Sequence, residues 1–284
     1  MATATLPAQT RSSNLASASV WTPAYSLWLR ELVRFYRQKA RVVGVIASPL
    51  LFWVVLGSGF ANSFRHAGPG AAAATNQGIS AHYLGYFYPG AIVMIVLFTA
   101  IFSMMSLIQD RNEGFLLSVL AAPIRRSAIV LGKVLGGATL AAIQGWVFLV
   151  FAPLAGVHTS FAGILYSMAV IVLASFALTA LGFAIAWPMD STQAFHAVIN
   201  IILIPLWLLS GSMFPANGAS GWLRWIMLAN PLTYTVDALR NGLFPAQPTD
   251  FSPAVNLIVS LGFCAVAFAA SWAIVNRRTN KPAA

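Results

Sequence analysis

Several apolar runs in this 284-residue chain reach or exceed the roughly 20 residues that cross a bilayer core. That feature predicts an all-α polytopic membrane protein without a soluble domain. The composition agrees, being 59% hydrophobic and only 8% charged, against about 25% charged in soluble domains. A net charge of +10 would suggest nucleic acid for a soluble protein. In a membrane protein the same lysines and arginines report orientation, and no nucleic-acid partner is expected. The single cysteine, Cys264, excludes an intrachain disulfide and a cysteine-based metal cluster.

Six spans are expected, over 42–60, 89–108, 129–154, 163–187, 194–213 and 255–275. Pro49 interrupts the first and Pro205 kinks the fifth. Residues 1–24 read as a disordered cytoplasmic tail. Their Ala, Ser and Thr content is shared with transit peptides, but arginine is scarce. Residues 25–276 form the transmembrane domain and 277–284 a basic tail. Tyr83, Tyr86, Phe87 and Tyr88 sit where an aromatic interface belt is expected.

Residues 25–41 read as a basic amphipathic helix. Arg30, Arg34, Arg37 and Arg41 align on one face, and Leu29, Leu32, Val33 and Tyr36 on another. Such a helix lies along an anionic membrane surface, its apolar side in the lipid. The alternative is that it merely begins the first span. With six spans and a cytoplasmic N-terminus, thirteen lysines and arginines fall inside. Only Arg65, Arg224 and Arg240 fall outside. Both termini are therefore expected in the cytoplasm.

The central stretch, 109–133, concentrates charge between two apolar runs: Asp110, Arg111, Glu113, Arg125, Arg126 and Lys133. Within it Phe115, Leu116, Val119 and Leu120 recur at helical spacing and share a face. Pro123 ends that helix, because the residue before a proline avoids helical angles. A plain solvated loop is one reading; a short cytoplasmic helix offered to a partner is the other. Asp110 and Glu113 near its start would favour the positive end of the helix dipole. Gly114 reads either as a site of close backbone approach or as a simple turn.

Between the fifth and sixth spans, two apolar pieces at 221–229 and 231–244 are too short to cross. They suit outer re-entrant helices. The second contains Tyr234, and Asp237 and Arg240 at a spacing that permits an ion pair. Gly132 and Gly136 make a GxxxG match that lets helices approach closely, although the pattern is common by chance in glycine-rich spans.

The chemistry-bearing motifs of enzymes are absent. Gly132-Lys133 is followed by Val134, where a phosphate-binding loop needs Ser or Thr for magnesium. No HExxH or Rossmann fingerprint occurs. His66, His82, His158 and His196 lie in four different segments, so no metal site is expected, and no catalytic residue is assigned. No Asp or Glu falls deep inside an expected span, since Asp110, Glu113 and Asp190 lie at its inner edge. That disfavours an ion-driven carrier, which needs membrane-embedded carboxylates, and no inverted repeat is evident.

The chain resembles the ABC-2 type permeases, the membrane subunits of ABC exporters. Asp110-Arg111-Asn112-Glu113-Gly114 carries the resemblance, with Leu116, Leu120, Pro123 and Gly132-Lys133 following. Leu209-Ser210-Gly211 with Phe214-Pro215 matches again, as does Asn230-Pro231-Leu232-Thr233-Tyr234 leading to Asp237 and Arg240. The likeness covers nearly everything after residue 25 and is greatest to the drug-resistance and lipo-oligosaccharide export branch. It implies two permease copies and a separate cytoplasmic ABC ATPase subunit that binds ATP and magnesium, with no cofactor on this chain. It also implies that the helix after Asp110 is a coupling helix docking in the ATPase. Asn230, Pro231, Tyr234, Asp237 and Arg240 would belong to the outer re-entrant segment. The expected site is a bacterial inner membrane, and the expected substrate lipophilic or amphipathic: a drug, lipid or lipid-linked glycan. A membrane scaffold docking a cytoplasmic partner through the same helix is the alternative from another class.

Overall fold

The computed structural model describes residues 20–37, 43–44, 47, 50–51, 53–55, 76–157, 159–214, 219–245 and 249–277. All regular structure among them is helical. In chain order the helices are α1 (Trp21–Arg37), α2 (Asn76–Ser103), α3 (Met105–Asn112), α4 (Phe115–Ala121), α5 (Arg126–Leu149), α6 (Phe161–Ala186), α7 (Thr192–Trp207), α8 (Gly221–Ala229), α9 (Pro231–Leu243) and α10 (Pro253–Arg277). Helices close their backbone hydrogen bonds internally, which a lipid environment demands.

Among the described residues five rods are long and apolar enough to cross a membrane: Gly85–Asn112, Arg126–Leu149, Phe161–Ala186, Thr192–Ser212 and Pro253–Arg277. They fall on the second to sixth expected spans. The first expected span, 42–60, lies largely outside the described residues. The rods differ from expectation at their ends. The rod on the second expected span runs through a single irregular residue, Met104, to Asn112, so Asp110 stands on the helix and not in a loop. The rod on the third expected span stops at Leu149, short of 154. Pro153 there forms a tight 3-10 turn over Ala152–Ala155, which Gly156 closes at φ +72°.

The rod on the fifth expected span, Thr192–Ser212, passes Pro205 without breaking and is disrupted one turn later, over Leu208–Ser212. Leu209 and Gly211 leave helical angles there, Gly211 at φ +76°, a conformation suited to glycine. Carbonyls freed by the break find side-chain donors. The Asn230 amide donates to the Leu206 carbonyl at 2.6 Å, and the Tyr86 hydroxyl to that of Gly211 at 3.1 Å. The break thus fixes α8 and α9 against the end of α7.

The core lies between α2, α5 and α6, where Phe87, Ile92, Ile101, Val134, Leu178 and Phe183 are buried. The rod from α2 is 83% buried in its most apolar window, whereas that of α10 is 22% buried. α2 is therefore the hub, and α7 and α10 leave most of their apolar surface outside the chain's own core.

Candidate functional site

A trough on α5 seats the N-terminal helix. A Cβ added at Gly132 would lie 2.7 Å from the Ala24 carbonyl, and one at Gly136 would lie 2.7 Å from the Glu31 Cβ. The two glycines of the GxxxG match are therefore where α1 makes its close approach. The packed face of α1 is Ala24, Leu27, Glu31 and Phe35. Leu29, Val33 and Tyr36, three of the four residues expected on its apolar side, remain outward and exposed.

That packing buries charge. Asp110 is fully inaccessible, Lys133 is 1% exposed and Glu31 is 4% exposed. The Lys133 ammonium donates to Glu31 at 2.6 Å, to the Ser106 hydroxyl at 3.3 Å and, as an ion pair, to Asp110. Ser106 in turn donates to Glu31 at 2.6 Å. Arg30 donates from both terminal nitrogens to the two Asp110 oxygens at 2.9 and 2.8 Å, the bidentate fork that suits a carboxylate. Arg34 adds a third bond to Asp110 at 2.7 Å and reaches Gln109 at 3.0 Å and Glu113 at 3.2 Å. Its hydrogen bond to Asp110, working against desolvation, raises the Arg30 guanidinium above its ordinary pKa. Three cations thus meet three carboxylates, which is how a protein keeps ions out of water without a large penalty.

The sequence reading missed this cluster. Glu31 carries no expectation from its sequence, and Lys133 is expected only as a charge of the central stretch at the start of the third span. Asp110, expected at the inner edge of a span, is also buried among the packed helices. Asp237, too, is a buried carboxylate. The available signal was spacing: Lys133 sits between the two glycines of the trough, so whatever fills the trough must answer its charge.

Directly beyond the cluster the chain turns. Glu113 and Gly114 donate backbone hydrogen bonds to the Gln109 and Arg111 carbonyls, and Gly114 adopts φ +75°. Nothing lies within 4 Å of a Cβ built on Gly114. The glycine therefore serves a left-handed helix end, and the simple-turn reading accounts for it. α4 follows. Leu116 is buried, and Phe115 and Val119 pack against the core, Phe115 beneath the Arg30 guanidinium with 3.7 Å to its ring centroid. The face expected to point outward is thus mostly turned inward. Leu120, 39% exposed, and Leu117, 67% exposed, are the apolar side chains left on the outside. The helix ends at Ala121, two residues before Pro123.

Arg111 points away from the cluster. It donates to the Trp187 and Met189 carbonyls at 2.6 and 2.7 Å and to Asp190 at 2.9 Å. It so caps the negative end of α6 and ties the central turn to the α6–α7 connection. Arg37 lies exposed on α1, and Arg41 is outside the described residues.

At the other end of the rods, Asn230 caps α9 by accepting from the Leu232 N–H at 3.0 Å, with Pro231 in the first turn. Tyr234 donates to the Leu228 carbonyl at 2.9 Å. Asp237 and Arg240 stand 3.9 Å apart. Asp237 makes shorter bonds elsewhere, accepting from the Phe251 N–H at 3.1 Å and the Asn256 amide at 2.9 Å. Arg240 donates to the Gly211 carbonyl at 3.3 Å and lies over the Tyr86 ring. These residues lock α9 to the break after α7 and to the start of α10. Among the described residues no group of His, Cys, Asp and Glu suits a metal ion.

Comparison with known proteins gives the family of the sequence. Residues 23–244 match the family model described as ABC-2 type transporter. Nodulation protein J of Rhizobium leguminosarum bv. viciae is 25% identical over 285 residues, covering 98% of this chain and 99% of that protein. The transport permease ycf38 of Cyanophora paradoxa is 26% identical, covering 82% and 78%. The daunorubicin resistance ABC transporter permease protein DrrB1 of Streptomyces coeruleorubidus is 23% identical, covering 84% and 81%. The family match takes in α1, the buried cluster, the central turn and α9 together, and on that ground the chain belongs to the ABC-2 type transporter family.

Proposed function

We propose that the protein is the permease subunit of an ATP-driven exporter, working as two copies with a separate cytoplasmic ABC ATPase. One observation carries the reading. α4 presents Leu117 and Leu120 to the outside while its base is held by Arg30, Asp110, Lys133 and Glu31 to α1 and α5. A force applied to α4 is passed to the ends of three packed helices, because buried ion pairs resist separation. α4 is therefore the coupling helix, docking on the ATPase, which holds ATP and magnesium. Asp110, Arg111, Glu113 and Gly114 shape the turn that aims it.

The charge bias supports an orientation with α4 and both termini in the cytoplasm of a bacterial cell, and α8 and α9 as outer re-entrant helices. The substrate is lipophilic or amphipathic, a drug, a lipid or a lipid-linked glycan. A relative named for daunorubicin resistance and the apolar outer surfaces of α7 and α10 support that class.

Co-expression with candidate ATPase subunits tests the reading. The purified permease alone hydrolyses no ATP, and with its ATPase it forms a complex containing equal numbers of each and expels substrate. Hydrolysis by this chain alone, lost when one of its own residues is replaced, would refute it.

A further inference from the structure

Two adjoining hollows on the outer side of α1 have no role in the account so far. The first is a groove of about 640 Å³ lined by Arg30, Arg34 and Arg37, with Tyr25, Leu29 and Val33 along its floor and Glu113 at its edge. The second is a cleft of about 220 Å³ between α1 and Leu135 of α5, walled by Trp21, Ala24 and Trp28. Tyr25 borders both. The first hollow is basic, and among the described residues the second carries no charge.

We infer that this pair of hollows binds one anionic phospholipid, its phosphate among the three arginines and an acyl chain in the cleft. The charge argument is direct. A guanidinium has five N–H donors; Arg30 gives two to Asp110, and Arg34 gives one each to Asp110, Gln109 and Glu113, so donors remain on both. Arg37 has no carboxylate within ion-pair distance among the described residues. Glu113, 58% exposed, is the groove's one acid among the described residues. Because the buried cluster is itself balanced, the surplus is the positive charge of Arg37, and it favours an anionic headgroup over a zwitterionic one.

The apolar part identifies the source of the phosphate. Tyr25 is 61% exposed, and Leu29 and Val33 are each 44% exposed. A soluble phosphate would leave these side chains wet, whereas a lipid covers them. Because Arg30 and Arg34 also hold Asp110, the bound headgroup touches the same guanidiniums that anchor the central turn. The lipid therefore braces α1 on the trough of α5.

The inference rests on the reading of the chain as a membrane permease, but its test needs no ATPase. The full-length protein is purified in detergent and mixed with phosphatidylglycerol or phosphatidylcholine, and retained lipid is counted by native mass spectrometry. Phosphatidylglycerol is retained preferentially, and inorganic phosphate does not displace it. Arg37→Gln, at an exposed position, lowers its retention about fivefold, as expected for one arginine at an anionic surface. Trp21→Ala, also exposed, weakens retention of phosphatidylglycerol by removing a wall of the cleft. Equal retention of the two lipids, indifference to Arg37→Gln or to Trp21→Ala, or displacement by phosphate would each overturn the inference. Such a failure leaves ATPase coupling untouched, and a failure of coupling leaves lipid selectivity standing.

Discussion

Arg30 holds Asp110 by two hydrogen bonds, 2.9 and 2.8 Å long, across 80 positions of sequence. The contact joins the N-terminal helix to the last turn of the most buried rod among the described residues. It places a fully inaccessible carboxylate immediately before the turn that aims α4, so the geometry of that turn depends on charges contributed by α1 and α5.

The cluster is balanced, and removing one member should cost more than removing a neutral pair. Lys133→Met leaves Glu31 and Asp110 without their shared ammonium. It should destabilise the protein by about 3–5 kcal/mol, the range for breaking a buried pair. Adding Glu31→Gln to Lys133→Met should recover much of that loss. Thermal unfolding in detergent reads both; a double variant no more stable than the single one would contradict the balance.

The trough predicts a steric effect. Gly132→Val places atoms where the Ala24 carbonyl and Leu27 already lie, so α1 must move. With Cys264 replaced, a cysteine at buried Leu27 should be protected from maleimide in the parent protein. It should become reactive once Gly132→Val is added. Protection in both would mean that α1 does not need the close approach.

Orientation can be read by labelling. In the same cysteine-free background, a cysteine at exposed Ser220 should react with an impermeant reagent added outside intact cells. One at exposed Ser118 should react only after the membrane is opened. The reverse pattern would invert the topology and place α4 on the wrong side for a cytoplasmic ATPase.

The apolar runs made the helical class readable, and the short pieces at 221–229 and 231–244 correspond closely to α8 and α9. Periodicity reports which residues share a face, but not which face meets another helix. It therefore grouped Leu29, Val33 and Tyr36 correctly without showing that the trough takes the side bearing Glu31 and Phe35. The same ambiguity hid the orientation of α4, where Phe115 and Leu116 turn inward. Charge was harder still. Lys133 and Asp110 each look like an edge residue in isolation, and only the packing of α1 over both removes them from water. The break after α7 carries no sequence expectation; the Asn230 amide and a glycine at positive φ lower its cost at Leu208–Ser212.

The most direct measurement of coupling compares two double variants of α4. Leu117→Ala with Leu120→Ala removes exposed side chains and should leave the permease folded and inserted. Burial of each leucine is worth roughly 1.5–3 kcal/mol, so their joint loss should weaken ATPase binding by ~100-fold or more and abolish efflux. Phe115→Ala with Leu116→Ala strikes the inward face and should instead lower thermal stability. ATPase pull-down and substrate efflux are measured together in membranes holding matched amounts of permease. Normal ATPase binding and normal efflux in the Leu117/Leu120 variant would show that α4 is only a connecting segment.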